Sequence, residues 1–156
     1  MGSCLVCERI SQIKAGTNPC FVVELDTGFV VIGDHQYFKG YTLFLCKEHH
    51  VELHELALDV RWLFLKEMSL VAEAVFRAFK PEKMNYELLG NADGHMHWHL
   101  FPRHVDDPSP QGPVWMVDKT LRNGDATRPS TEELSSLKEK LLQELTDMGL
   151  VRNSHA

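Results

Sequence analysis

Two short apolar runs, residues 20–25 and 29–32, flank Asp26-Thr27-Gly28. This spacing predicts a β-hairpin whose turn glycine supplies the awkward dihedral. Residues 41–46 (YTLFLC) predict a third strand, approached through Gly40. A helix is expected from about Asp59, whose carboxylate is placed to cap it. Leu65, Met68, Ala72, Val75 and Phe79 recur every three or four residues along one side. Phe64, Leu70 and Val71 widen that stripe, so more than one neighbour should cover the helix, and Pro81 ends it. Residues 84–89 predict a fourth strand, 90–94 a turn and 95–101 a fifth strand. Pro108, Pro110, Gly112 and Pro113 mark an extended loop. Ser130-Thr131-Glu132-Glu133 is a capping box, opening a final helix with Leu134, Leu137, Leu141, Leu145 and Met148 inside. The order spells an α+β fold: a five-stranded, mainly antiparallel sheet with one long helix and a C-terminal helix, residues 1–156 forming one domain.

The fifth strand carries the chemistry. In His95-Met96-His97-Trp98-His99-Leu100-Phe101 three histidines alternate with apolar residues. Successive strand side chains point to opposite faces, so the imidazoles share one face while Met96, Trp98 and Leu100 face the core. With a rise of roughly 3.3 Å per residue, neighbouring rings stand about 6–7 Å apart. Such a row suits a metal site or a histidine poised against phosphate. Neutral imidazole is a good nucleophile near neutral pH, and an N–P bond is readily broken later by water. The attacking nitrogen stays basic only if the other ring nitrogen donates its hydrogen to a fixed acceptor.

Composition narrows the partners. The 156 residues are 44% hydrophobic with a formal net charge of -6, and no run of Lys or Arg interrupts them. A nucleic-acid polymer needs a basic footprint, so none is expected as a partner, whereas a small anion can still bind locally. No signal peptide or membrane span is apparent, and the myristoylation pattern fails after Met1-Gly2, because Val6 stands where Ser or Thr is required. A cytoplasmic protein is expected. Cys4-Leu5-Val6-Cys7 then reads as a metal knuckle rather than a redox pair, having no preceding strand, and Cys20 and Cys46 as core residues. His50-Val51-Glu52-Leu53-His54 approaches a zinc-protease signature but its glutamate sits one place late.

These residues together resemble the histidine triad (HIT) family. Residues 95–101 match its His-φ-His-φ-His-φ-φ pattern, with φ apolar, and Pro102-Arg103 is a frequent continuation. Residues 40–49 (GYTLFLCKEH) resemble the family's Gly-His-Thr-Leu-Val-Ile-Pro-Lys-x-His segment, and residues 4–7 the knuckle of zinc-carrying bacterial members. The resemblance spans about residues 4–103. It implies a HIT-like fold, often a homodimer, and hydrolysis or transfer at the α-phosphate of dinucleoside polyphosphates, nucleoside phosphoramidates or adenylated amines. It also implies roles: His97 as nucleophile, His99 as phosphate ligand or proton donor, and Cys4, Cys7, His49 and His95 as a structural zinc set. His50 is the competitor for His49.

Three positions depart from the family. Tyr41 replaces its usual histidine, Cys46 a common proline, and Gly90-Asn91-Ala92-Asp93-Gly94 replaces a Gly-Gln lead-in to the triad. Asn91 is therefore a candidate amide donor to phosphate, with a turn asparagine as the alternative. Asp34 lies one position from the family's ribose ligand, with a turn aspartate as the preferred reading, and Arg103 is a candidate phosphate contact, with an exposed arginine as the alternative. Beside the enzyme reading stand two others: a non-catalytic nucleotide-binding adaptor, and a zinc redox switch built on Cys4 and Cys7. The leucine-rich helix over 59–79, with more apolar surface than one sheet face covers, is expected to form a homodimer interface.

Overall fold

In the computed structural model, residues 4–108 and 111–151 are described; Met1, Gly2 and Pro110, invoked above, lie outside them. The elements run α1 (Leu5–Lys14), β1 (Phe21–Glu24), β2 (Gly28–Ile32), β3 (Thr42–Cys46), α2 (Leu58–Phe79), β4 (Lys83–Leu88), β5 (His97–Arg103), α3 (Lys119–Arg122) and α4 (Thr131–Asp147). Single 3-10 turns lie at Leu53–Glu55, Val114–Met116 and Asp125–Thr127. The strands form one sheet in the order β1-β2-β3-β5-β4, every pair antiparallel. The α+β architecture expected from the sequence is the observed one.

Strand alternation divides the molecule into two layers of packing. Val30, Ile32, Phe44, Cys46, Met96 and Leu100 bury one sheet face under Phe64, Val71, Ala72 and Val75 of α2 and Leu141 and Leu145 of α4. Phe29, Val31 and Leu45 bury the other face under Val6, Ile10 and Ile13 of α1. Beyond α1 on this second face, Phe38, Phe101, Val114 and Val117 form a smaller cluster. The α1 helix was not anticipated, although its buried residues recur at the helical spacing of four and three.

Two ends differ from expectation. The long helix begins at Leu58 after an N-cap Ala57 that makes no side-chain hydrogen bond, so Asp59 sits in the first turn and does not cap it. Its acidic side chain there still complements the helix dipole. The helix ends where Lys80 adopts a left-handed conformation (φ 51°) ahead of Pro81. The capping box of α4 is present as read, Ser130 and Glu133 each accepting the other's backbone N–H.

One buried carboxylate ties the hairpin to the helix layer. Glu67 of α2 accepts hydrogen bonds from the backbone N–H of Asp26 (2.9 Å) and of Thr27 (2.8 Å), and from the Thr27 hydroxyl. It thereby pairs donors at the β1–β2 turn that burial would otherwise strip of water. Glu67→Ala should destabilise the protein by about 3 kcal/mol, lowering the melting temperature by roughly 6–12 °C at this chain size. Calorimetry on the variant checks this; an unchanged melting temperature would remove the clamp from the stability account.

Candidate functional site

The histidines lie on the face that α1 only partly covers. Antiparallel pairing sets Leu45 of β3 beside His97, and Leu43 of β3 and Glu87 of β4 on either side of His99. His95 precedes the strand proper, but Met96 still bonds to the backbones of His50 (2.8 Å) and Cys46 (3.1 Å), which holds the run in line. The rings of His97 and His99 are closer than an ideal strand predicts, 4.6 Å between centroids, because they tilt edge to face at 67°.

Each ring has a different partner, and backbone carbonyls fix the tautomers of the first two. Nε2 of His95 lies 2.8 Å from the Cys46 carbonyl, and Nδ1 of His97 lies 2.6 Å from the His95 carbonyl. A carbonyl can only accept, so both of these nitrogens carry the hydrogen. His95 keeps a lone pair on Nδ1 and His97 keeps one on Nε2. The third ring is set by Tyr41, whose hydroxyl lies 2.6 Å from Nδ1 of His99. The phenol and the ring nitrogen share a single hydrogen, and which of them donates follows the His99 tautomer. Burial, then the neighbouring His97 and Arg122, push the His99 pKa down to about 4. Burial also raises the Tyr41 phenol, which stays protonated. The tyrosine ring stacks on Phe101 at 4.1 Å.

Towards the start of the row, His95 meets a second group. Cys4 is the N-cap of α1 and Cys7 lies in its first turn. The Cys7 Sγ stands 3.3 Å from Nδ1 of both His49 and His95. One ligand atom from each of Cys4, Cys7, His49 and His95 falls within 4.8 Å of every other, the spread of a tetrahedral metal shell. His50 is instead near the carboxylates of Glu48 (3.5 Å) and Glu55 (3.7 Å), so His49 is the residue that joins the cluster.

A cavity of about 250 Å³ opens in front of His97 and His99, with Leu5, Val31, Asp34 and Asp93 among its walls. Asp34 lines it while ion-paired to Arg9. A larger opening of about 480 Å³ beside Lys66 and Glu67 includes none of the triad. A smaller one of about 150 Å³ adjoins the other side of His99, walled by Tyr37, Glu87, Trp115 and Arg122. Burial pushes the Glu87 carboxyl up to about 6, against the lowering effect of Arg103 and Arg122.

Two candidates from the sequence are not brought to the triad. Asn91 is exposed in the turn before it, where Asp93 reaches the cavity instead. Arg103 is buried beyond Phe101, bonded to Asp107 (3.0 Å), Asn85 (3.0 Å) and the Gly112 carbonyl (2.9 Å), with its guanidinium over Phe38. Sequence reasoning in turn missed Glu87, Asp93, Trp115 and Arg122. Strand parity placed Glu87 on some face, but only the β4–β5 register sets it beside His99.

The comparisons agree with this geometry. A family model described as the HIT domain matches residues 16–106. No curated protein matches. Among solved structures, a histidine triad protein from Sinorhizobium meliloti is 23% identical, with TM-score 0.71, over 80% of this chain and 88% of that one. A Zn-bound histidine triad family protein from Mycobacterium smegmatis is 21% identical, with TM-score 0.58, over 94% and 96%. The diadenosine triphosphate hydrolase of Plasmodium falciparum, solved with cyclomarin A, is 10% identical, with TM-score 0.57, over 83% and 78%. With its triad, its sheet and a family match over most of its length, the chain belongs to the histidine triad family.

Proposed function

We propose that this protein is a nucleotide hydrolase or nucleotidyl transferase, attacking the α-phosphate of a dinucleoside polyphosphate or a nucleoside phosphoramidate through His97. The observation that carries the reading is the Nδ1 hydrogen bond of His97 to the His95 carbonyl. It leaves Nε2 as an oriented lone pair on the ring between two other histidines. Nε2 forms a bond to phosphorus while the bond to the leaving group breaks with its electron pair. Water then attacks phosphorus, and the N–P pair returns to His97 as nucleoside monophosphate departs with the water oxygen.

His99 acts as a hydrogen-bond donor rather than an acid. In the tautomer in which Nδ1 accepts from Tyr41, Nε2 carries the hydrogen, and its loss would leave an imidazolate. Its Nε2–H therefore stabilises charge developing on phosphate oxygen or the departing atom. Asp34 and Asp93 line the same cavity and are proposed to meet the ribose side of the ligand.

The cluster of Cys4, Cys7, His49 and His95 is proposed to hold zinc. Two thiolates and two imidazoles leave no open position, so a metal there would brace the fold rather than enter the reaction. It would clasp the start of α1, the loop after β3 and the approach to β5. All four cysteines are unpaired, which fits a reducing, cytoplasmic setting. Among the described residues no helix is long and apolar enough to cross a membrane. A homodimer through α2 and the β4 edge is supported by exposed apolar side chains there: Leu58 (60%), Trp62 (63%), Phe76 (47%) and Tyr86.

Three outcomes test these readings. His97→Ala should abolish an acid-labile nucleotide adduct on quenched protein and cut turnover by several orders of magnitude, while His99→Ala costs roughly 10²–10³-fold. Near wild-type turnover by the His97 variant would leave a nucleotide-binding adaptor as the reading. For the metal, elemental analysis should find one zinc per chain, and Cys7→Ser should release it and lower the melting temperature, since such sites contribute on the order of 10–16 kcal/mol. Purified protein with no metal and freely titrating thiols would refute the assignment. Finally, light scattering should give twice the 17.8 kDa chain mass; a monomer mass at micromolar concentration would exclude the dimer.

A further inference from the structure

The structure leaves the leaving group without an evident proton source. Burial holds the His99 imidazole neutral, its pKa pushed down to about 4, so it is a poor acid, and the Tyr41 hydroxyl is paired with it. A phosphate or pyrophosphate departs as a stable anion and needs no proton. An amine or alkoxide does, because its bond to phosphorus breaks to give a strong base.

The group placed to supply one is on the neighbouring strand. Glu87 lies directly across from His99 in the β4–β5 ladder, on the triad face. It lines the cavity of about 150 Å³ that shares His35, Tyr41, His99 and Asn123 with the larger cavity in front of the triad. Its Oε2 is buried and has no hydrogen-bond partner among the described residues. A buried carboxyl oxygen without a hydrogen-bond partner carries a desolvation cost that calls for an explanation, and a functional role is one. The size of the cavity bears on what it takes. It is worth about five water molecules at roughly 30 Å³ each, enough for a short amine or alcohol and far below what a second nucleoside fills.

We propose that this cavity is the leaving-group subsite and that Glu87 is the catalytic acid, giving its carboxyl proton to the amine nitrogen of a small nucleoside phosphoramidate. The assignment rests on the nucleotidyl-transfer reading and names the leaving group for it. As His97 Nε2 bonds to phosphorus, the P–N pair stays with nitrogen, which takes the proton from Glu87 and leaves as the neutral amine. In the second step the carboxylate accepts a proton from the attacking water, the P–N bond to His97 breaks, and both residues return to their starting state. The charged and titratable groups facing Glu87 are His99 and Arg103 from β5, Arg122 from α3, and Tyr41 and His35 from the segment before β3. The two arginines favour the ionised form and burial opposes it more strongly, so the carboxyl titrates within the working range.

The test compares two substrates in the full-length protein: the propylamidate of AMP, whose amine needs a proton, and its 4-nitrophenyl ester, whose phenolate does not. Glu87→Gln should lower the amidate-to-ester ratio of kcat/KM at least 100-fold, within the range of general acid catalysis. In the wild-type protein alone, the same ratio should fall as pH rises through about 6, where the carboxyl ionises. A ratio unchanged by the variant, or flat from pH 5 to 8, overturns the assignment of Glu87 while leaving nucleotidyl transfer intact. A wild-type protein that turns over neither substrate overturns the nucleotidyl-transfer reading and this proposal with it.

Discussion

The alternation of β5, locked between β3 on one side and β4 on the other, is the constraint on which the site depends. Even-numbered residues, Met96, Trp98 and Leu100, are drawn under α2 by burial, and the odd-numbered ones must then face the other way. On that second face α1 covers the strands up to Leu45, while Phe38, Val114 and Val117 cover the strand from Phe101 onward. His97 and His99 occupy the gap between the two covers. A slip of one residue in pairing would exchange the faces and bury imidazoles where Leu100 now sits. The hydrophobic demand of the α2 layer thus positions polar side chains that it never touches.

Identical side chains acquire different chemistry from what accepts or donates to each ring. His95 gives its Nε2 hydrogen to the Cys46 carbonyl and turns Nδ1 to the cysteines. His97 gives its Nδ1 hydrogen to the His95 carbonyl and keeps Nε2 for the cavity. His99 pairs Nδ1 with the Tyr41 hydroxyl. The partners of His95 and His97 are backbone atoms, so their tautomers are a property of the fold and survive side-chain replacement around them. The same carbonyl of His95 connects the Cys/His cluster to the triad, since its residue belongs to the one and its oxygen orients the other.

Much of this was legible because periodicity is strong in the strands, in α2 and in α4. Where local pattern carries no period it was not. Residues 114–127 fold into 3-10 turns and a one-turn helix, which leave no repeating apolar signature, and they supply Trp115, Arg122 and Asn123 to the cavities. The α1 helix did carry a signature in Val6, Ile10 and Ile13, hidden by reading residues 4–7 only as a knuckle. Asp59 failed as a cap because an aspartate near a helix start satisfies the dipole equally well two places past the cap, inside the first turn. Arg103 was misplaced for another reason. Its sequence position adjoins the triad, but two strand residues carry it past Phe101 and into a buried ion pair with Asp107.

Tyr41 shows how a departure from a family pattern acquires meaning only in three dimensions. In sequence it is a phenol where related chains carry an imidazole. In the fold its ring lies against the Cα of Gly33, where any added Cβ would come within 2.2 Å of it, and stacks on Phe101. Gly33 and Tyr41 are therefore a coupled pair: the tyrosine fits because the residue facing it has no side chain. A buried phenol stays neutral, and its one hydrogen bond to His99 offsets the loss of water around the hydroxyl. An imidazole at the same place could exchange protons with His99 and let it act as an acid. A phenol held this far from ionising does not give up its proton to the ring. On the side of β5 away from β3, His99 pairs with Glu87 of β4.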